Sequence, residues 1–294
     1  MATVAQWIEG ARPRTLPNAI APVLVGTGAA AALGAFDPVR AALALVVALA
    51  LIVGVNFAND YSDGVRGTDD DRVGPLRLVG SGAAEPKQVR TAAFACFGLS
   101  AVAGLALVAL SGVWWMLAVG AVCIAAAWFY TGGKRPYGYA GLGEVAVFIC
   151  FGLVAVLGTL YVQAGEFSGY GIGSAVAVGC FSAAVLVANN LRDIPTDRES
   201  GKRTLAVLIG EQDTRNLYLA LIVVPFVISC VGAFRNGLLL LGLLALPLLI
   251  VSARKMVTGA KGKALIPVLR DTGLAMLAWS VLTAAALVLG GTGT

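Results

Sequence analysis

The chain has 294 residues, of which 59% are hydrophobic and only 13% charged, with a net charge of +5 and no histidine. A soluble domain carries about 25% charged residues, and no soluble fold of this length could bury so much apolar side chain, so the composition excludes a soluble globular protein. The missing histidine excludes Ser-His-Asp catalysis, imidazole bases and imidazole metal sites, and leaves oxygen ligands and hard cations for any metal.

Residues 1–14, with Trp7 and Ile8 among polar neighbours, read as a helix lying in the membrane interface. The apolar run 16–36 follows Arg12 and Arg14, as a secretion signal would. It is too long for the core of such a signal and contains Pro17 and Pro22, so it is the first expected span. Further runs of spanning length lie at 39–60, 91–110, 113–131, 141–162, 172–192, 216–233, 237–253 and 270–290. The eighth is the weakest because Pro247 interrupts it. The expected fold is an all-α polytopic membrane protein with nine transmembrane helices, one membrane domain over residues 1–294.

Nine spans sort the charges. Arg12, Arg14, Arg66, Arg72, Arg77, Lys87, Arg90, Lys134, Arg135, Arg192, Arg198, Lys202, Arg203, Arg215, Arg254, Lys255, Lys261, Lys263 and Arg270 fall on one side, 19 of the 21 basic residues, and only Arg40 and Arg235 on the other. The basic side is then cytoplasmic, with the N-terminus inside and the C-terminus external, as in a cytoplasmic (inner) membrane. This asymmetry and anionic lipid head groups account for the net charge, so nucleic acid is not an expected partner. The long loops 61–90 and 193–215 are both cytoplasmic and carry most of the acids, which puts the chemistry at that face. Trp114 and Trp115 read as part of the external interfacial belt. Cys96, Cys123, Cys150, Cys180 and Cys230 each sit in an apolar run without ligand spacing and read as small packing residues.

Two segments repeat one pattern. The second span ends in Asn56, Asn59, Asp60 and Asp63, and the sixth in Asn189, Asn190, Arg192, Asp193 and Asp197. Offsets of three, four and seven share a helix face, so Asn56, Asp60 and Asp63 form one stripe and Asn189, Asp193 and Asp197 a second. Pro195 is expected to end the sixth helix near Asp193. Clustered carboxylates at the hydrocarbon edge repel one another and are relieved by Mg²⁺, which takes oxygen ligands and shares substrate phosphate oxygens. Asp69, Asp70 and Asp71 read as a solvated loop run, Asp69 being the best placed for a role.

Lys134 and Arg135, after Tyr130 to Gly133, and Lys202 and Arg203, after the second acidic motif, supply cations that can reach phosphate. Positive-inside topology also accounts for them. Gly132-Gly133-Lys134 lacks the spacing of a P-loop. Glu144, just inside the fifth span, is either functional or paired with Lys134 or Arg135 for structure.

These motifs resemble the UbiA superfamily of intramembrane aromatic prenyltransferases, whose hallmark is a pair of Asp-rich motifs on the second and sixth of nine helices. Ala11 to Pro17, Tyr130 to Tyr139 with Gly141 to Glu144, and Asn189 to Asp193 with Gly201 to Leu205 look most like its 1,4-dihydroxy-2-naphthoate branch. An Asp common four residues after Asp63 is Gly67 here, a variant that this branch shares. The resemblance implies transfer of a polyprenyl chain from polyprenyl diphosphate to 1,4-dihydroxy-2-naphthoate, with loss of carbon dioxide and pyrophosphate, and no obligate protein partner. It implies Mg²⁺ held by Asn56, Asp60, Asp63, Asp193 and Asp197, with Lys134, Arg203 and Arg14 on the diphosphate. Asn59, Asn189, Arg192 and Lys202 join the substrate-binding set, and Tyr130 and Tyr139 shield the allylic cation. Arg135, steadied by Glu144, orients the acceptor carboxylate.

Two other readings share some of these features. A sister enzyme acting on 4-hydroxybenzoate, homogentisate or haem would keep the acidic motifs. An ion-coupled secondary transporter would carry its charges near the bilayer midplane, whereas all nine runs here have uncharged middles.

Overall fold

The computed structural model describes residues 2–67 and 76–291, and among these every regular element is helical. The chain begins with α1 (Val4–Ala11), started by a capping box between Thr3 and Gln6. Trp7 packs edge-on against Phe57, 5.5 Å between centroids, while Val4 and Ile8 face outward, as an interfacial helix requires. A short turn leads to α2 (Pro17–Ala32), bent by 48° from the preceding segment. There follow α3 (Pro38–Val65), α4 (Pro86–Ser111), α5 (Met116–Phe129), α6 (Gly143–Ala164), α7 (Gly169–Glu199) and α8 (Leu205–Ala233). The 3₁₀ segment Gly237–Ala245 meets α9 (Pro247–Val257) at a 51° bend, and α10 (Gly262–Gly290) closes the bundle.

Six of these helices are long and apolar enough to cross a membrane, and the two bent pairs raise the number to eight. The expected run 113–131 is the 14-residue α5, which falls short by itself. Large apolar side chains such as Val102, Val122, Val231 and Ile250 are more than half exposed around the bundle. In a protein with this many spanning helices, that surface belongs against lipid, so the chain is a multi-pass membrane protein.

Helix α7 is the axis of the fold. Buried residues make up 72% of its most apolar window, against 28–44% in the other five long spans. It packs through Phe181 onto Phe226 and Trp279, and through Gly179 onto α6. A Cβ on Gly152 of α6 would lie 2.5 Å from the Gly179 Cα, so this crossing demands glycine on both sides. Beside the contact, residues Phe148–Leu157 of α6 widen into a π-helical stretch.

Pro195 does not end α7. The helix runs on to Glu199, with Pro195 on its exposed side. The hydroxyls of Thr196 and Ser200 donate to the carbonyls of Asp193 and Asp197, at 3.0 and 3.3 Å, and hold the turns around the bond that proline removes. The expected span 216–233 likewise begins earlier, at Leu205, with a break at Gly210 (φ +82°). At the far end of α3, Arg40 donates to the carbonyls of Val162 and Leu110, tying the ends of α6 and α4 together.

Candidate active site

The acidic ends of α3 and α7 wall a polar chamber of about 210 Å³. From α3 it takes Asn56, Asn59 and Asp63, and from α7 Asn189, Asn190, Asp193 and Asp197. Three cations line it as well: Arg12 after α1, Arg77 before α4, and Lys202 between α7 and α8.

Asp63 is the meeting point. Lys202 Nζ stands 3.4 Å from one of its oxygens and Arg77 Nη2 3.4 Å from the other, and the Tyr139 hydroxyl donates to it. The Tyr139 ring has Lys202 at 4.7 Å and Arg66 at 5.4 Å from its centroid, within cation–π range. Arg66 in turn donates to the carbonyls of Thr131 and Gly133. Three loops, α3–α4, α5–α6 and α7–α8, are thus joined over one carboxylate.

On α7, Asp193 is held by Arg192 at 2.6 and 2.7 Å, and Asp197 accepts from Thr204 at 3.3 Å. Arg192 therefore serves its neighbour and does not line the chamber. The amides are fixed too. Asn56 Nδ2 donates to Ala11 O and Thr15 Oγ1, whereas Asn59 Oδ1 accepts from Thr131 at 2.8 Å.

Asp60 does not join this set. It is fully buried and accepts the backbone N–H groups of Leu78 and Val79 at 2.8 and 3.0 Å, so it pins the loop before α4 and lies outside the chamber lining. Arg14, Lys134, Arg135 and Arg203 also lie outside, with exposed side chains. Glu144 is buried and pairs with Asn190 at 2.9 Å, in place of the Lys134 or Arg135 expected for it. Asp69, Asp70 and Asp71 lie outside the described residues.

Sequence reasoning passed over Arg12, Arg77 and Asn190 as site residues. Asn190 had a signal, standing three residues before Asp193 and so on its face. Arg77 had none, because a loop brings it to Asp63.

A second, apolar chamber of about 360 Å³ adjoins the first, between α3, α4, α5 and α6. Asn18, Ile52, Tyr130, Val147 and Phe151 line both, so the two chambers adjoin at these side chains. Cys123 on α5 and Cys150 on α6 both sit on the apolar wall. On the same wall, the Tyr137 hydroxyl donates to Ala126 O at 2.8 Å. Burial, with the Cys150 and Cys123 thiols nearby, pushes its pKa up and keeps it a neutral donor.

The oxygens of Asn56, Asp63, Asp193 and Asp197 are the hard donors that a divalent cation such as Mg²⁺ takes. Among the described residues no three carboxylates converge tightly enough to hold a cation unaided. That suits a cation whose remaining ligands are phosphate oxygens of a substrate.

A membrane helix bundle in which an acidic chamber lined by cations adjoins an apolar one suits a substrate with a polyanionic head and a long apolar tail. The model of the UbiA prenyltransferase family matches residues 19–281, and the chain belongs to that family. It is 58% identical to the 1,4-dihydroxy-2-naphthoate octaprenyltransferase of Mycobacterium tuberculosis over 99% of each chain. With the protein of the same name in Escherichia coli it is 41% identical over 90% of this chain and 89% of the other. Its fold matches a UbiA homolog from Archaeoglobus fulgidus bound to GPP and Mg²⁺, with a TM-score of 0.69 over 97% and 99% of the two chains at 13% identity.

Proposed function

We propose that this protein transfers a polyprenyl chain from its diphosphate to 1,4-dihydroxy-2-naphthoate, releasing pyrophosphate and carbon dioxide and leaving demethylmenaquinol. The observation that carries the reading is the adjacency of the two chambers, which share Tyr130 in their walls, in a chain 58% identical over 99% of its length to a relative named for that reaction.

The diphosphate lies in the polar chamber with Arg12, Arg77 and Lys202 about it and the Asn59 amide as a further donor. Mg²⁺, when bound by Asp63, Asp193, Asp197 and Asn56, neutralises charge on the departing pyrophosphate. Asp60 holds the loop that carries Arg77 towards the site. The prenyl tail occupies the apolar chamber, whose walls exclude water from the allylic cation, and the faces of Tyr130 and Phe151 stand at the junction where that cation forms. The C–O bond to pyrophosphate breaks first, and the acceptor carbon bearing the carboxylate then bonds to the allylic cation. The bond to the carboxylate then returns its electron pair to the ring, and carbon dioxide leaves. Arg14, Lys134, Arg135 and Arg203 are exposed cations on the basic side of the chain and add to the field that draws both anionic substrates in.

In this reading the chain is one membrane domain over residues 1–294. The short α5 counts as a span, giving nine, with the N-terminus and the acidic helix ends at the cytoplasmic face of the inner membrane and the C-terminus outside. The basic asymmetry of the loops supports that orientation.

Purified protein given 1,4-dihydroxy-2-naphthoate, a long-chain prenyl diphosphate and Mg²⁺ should release carbon dioxide and pyrophosphate in equal amounts, with little turnover of 4-hydroxybenzoate. A product mass that retains the carboxylate, or a preference for the single-ring acid, overturns the naphthoate assignment.

A further inference from the structure

Glu144 lies in the first turn of α6, at the edge of the span, where a carboxylate is costly to keep. It is 5% exposed, its Oε1 bonds a neutral amide, and its Oε2 has no partner among the described residues. Half-satisfied in this way, it does little for stability, since an orphaned buried oxygen is a net cost. Its value lies in what it does to Asn190.

A carboxylate can only accept, so Asn190 must turn its Nδ2 towards Glu144, at 2.9 Å, and keep Oδ1 for the chamber that it lines. Asn59 is fixed the other way, its Oδ1 taken by Thr131 and its Nδ2 left for the chamber. One chamber thus holds two asparagines of opposite polarity, a donor on α3 suited to an anion and an acceptor on α7 suited to a hydroxyl. The Glu144 turn backs onto the junction of the chambers: a Cβ on the adjacent Gly143 would stand 3.2 Å from the Tyr130 hydroxyl, and Tyr130 lines both.

We propose that Glu144 is a positioning residue for the aromatic acceptor, locking Asn190 so that its Oδ1 accepts the hydrogen bond of a ring hydroxyl. The inference rests on the transfer to dihydroxynaphthoate proposed above and deepens it. A hydroxyl held by a carbonyl oxygen lends electron density to the neighbouring ring carbon, the one that forms the new bond. The proton stays on the hydroxyl throughout.

Glu144→Gln removes the lock, because a glutamine can present either its oxygen or its nitrogen to Asn190. The KM for the naphthoate should rise by about tenfold, the scale of one lost hydrogen bond, with the KM for the prenyl diphosphate unchanged. Asn190→Ala should raise the same KM without moving the other. The double variant Glu144→Gln/Asn190→Asp reverses donor and acceptor but again leaves an oxygen facing the chamber, so the naphthoate KM should return to within about threefold of the starting protein. Unchanged KM values in Glu144→Gln, or a double variant no better than the single one, overturns the proposal. So does loss of turnover with a lowered melting temperature and both KM values intact. Failure of the unsubstituted protein to turn over the naphthoate would instead sink the proposed reaction, which separates the two.

Discussion

The ends of α3 and α7 carry nearly the same letters and use them differently. Each has an asparagine followed by acids at helical spacing, and each reaches the polar chamber. On α7 both acids, Asp193 and Asp197, line the chamber. On α3 only Asp63 does, because Asp60 is held by the backbone of Leu78 and Val79. Positions three or four residues apart share a face broadly, but each helical step is 100° and the loop beyond takes whichever carboxylate points at it. Spacings of three on α3 and four on α7, both facing one way on a helix, therefore produce two chamber acids on α7 and, on α3, one chamber acid and one loop anchor.

The largest effects should fall on the chamber acids. Asp63→Asn, Asp193→Asn and Asp197→Asn should each lower turnover by about two orders of magnitude or more, the scale of lost transition-state charge stabilisation. EDTA should silence the unsubstituted protein and Mg²⁺ restore it. Pyrophosphate release reads both, and near-full activity in any of the three would remove that acid from the metal set.

A smaller effect tests the cations. Lys202→Ala should raise the KM for prenyl diphosphate about tenfold, because a charged hydrogen bond inside the chamber is lost. Lys134→Ala, at an exposed position, should shift it by less than about threefold. The reverse order would mean that the Tyr130 to Tyr139 loop closes over the substrate and carries Lys134 inward.

The smallest effect on chemistry should come from Asp60→Asn. The amide keeps one acceptor where the carboxylate offered two, so one N–H of Leu78 or Val79 loses its partner, at about 1–3 kcal/mol of stability. The protein should melt at a lower temperature in detergent while keeping most of its activity below that point. A loss of turnover as deep as that of Asp63→Asn, with melting unchanged, would make the two acids on α3 equivalent.

Hydropathy alone located the long apolar helices and the end of the bundle where the acids gather, because burial in lipid selects long uncharged runs and strands the acids at their edges. Helical periodicity placed Asn56, Asp63, Asn189, Asp193 and Asp197 on faces that do line one chamber. It grouped Asp60 with them, since periodicity describes one helix and knows nothing of the loop beside it. Pro195 shows the same limit, as its bias against a preceding helix was outweighed by hydroxyls at Thr196 and Ser200. What only the tertiary structure decided is which distant groups meet: Lys202 with Asp63, 139 residues apart, and Asn190 with Glu144, 46 apart. Such pairings depend on how helices cross and how loops close over their ends, and the central α7 supplies both by packing through glycine against α6. A local pattern can say that a residue faces inward, but its partner is set by the packing of the whole bundle.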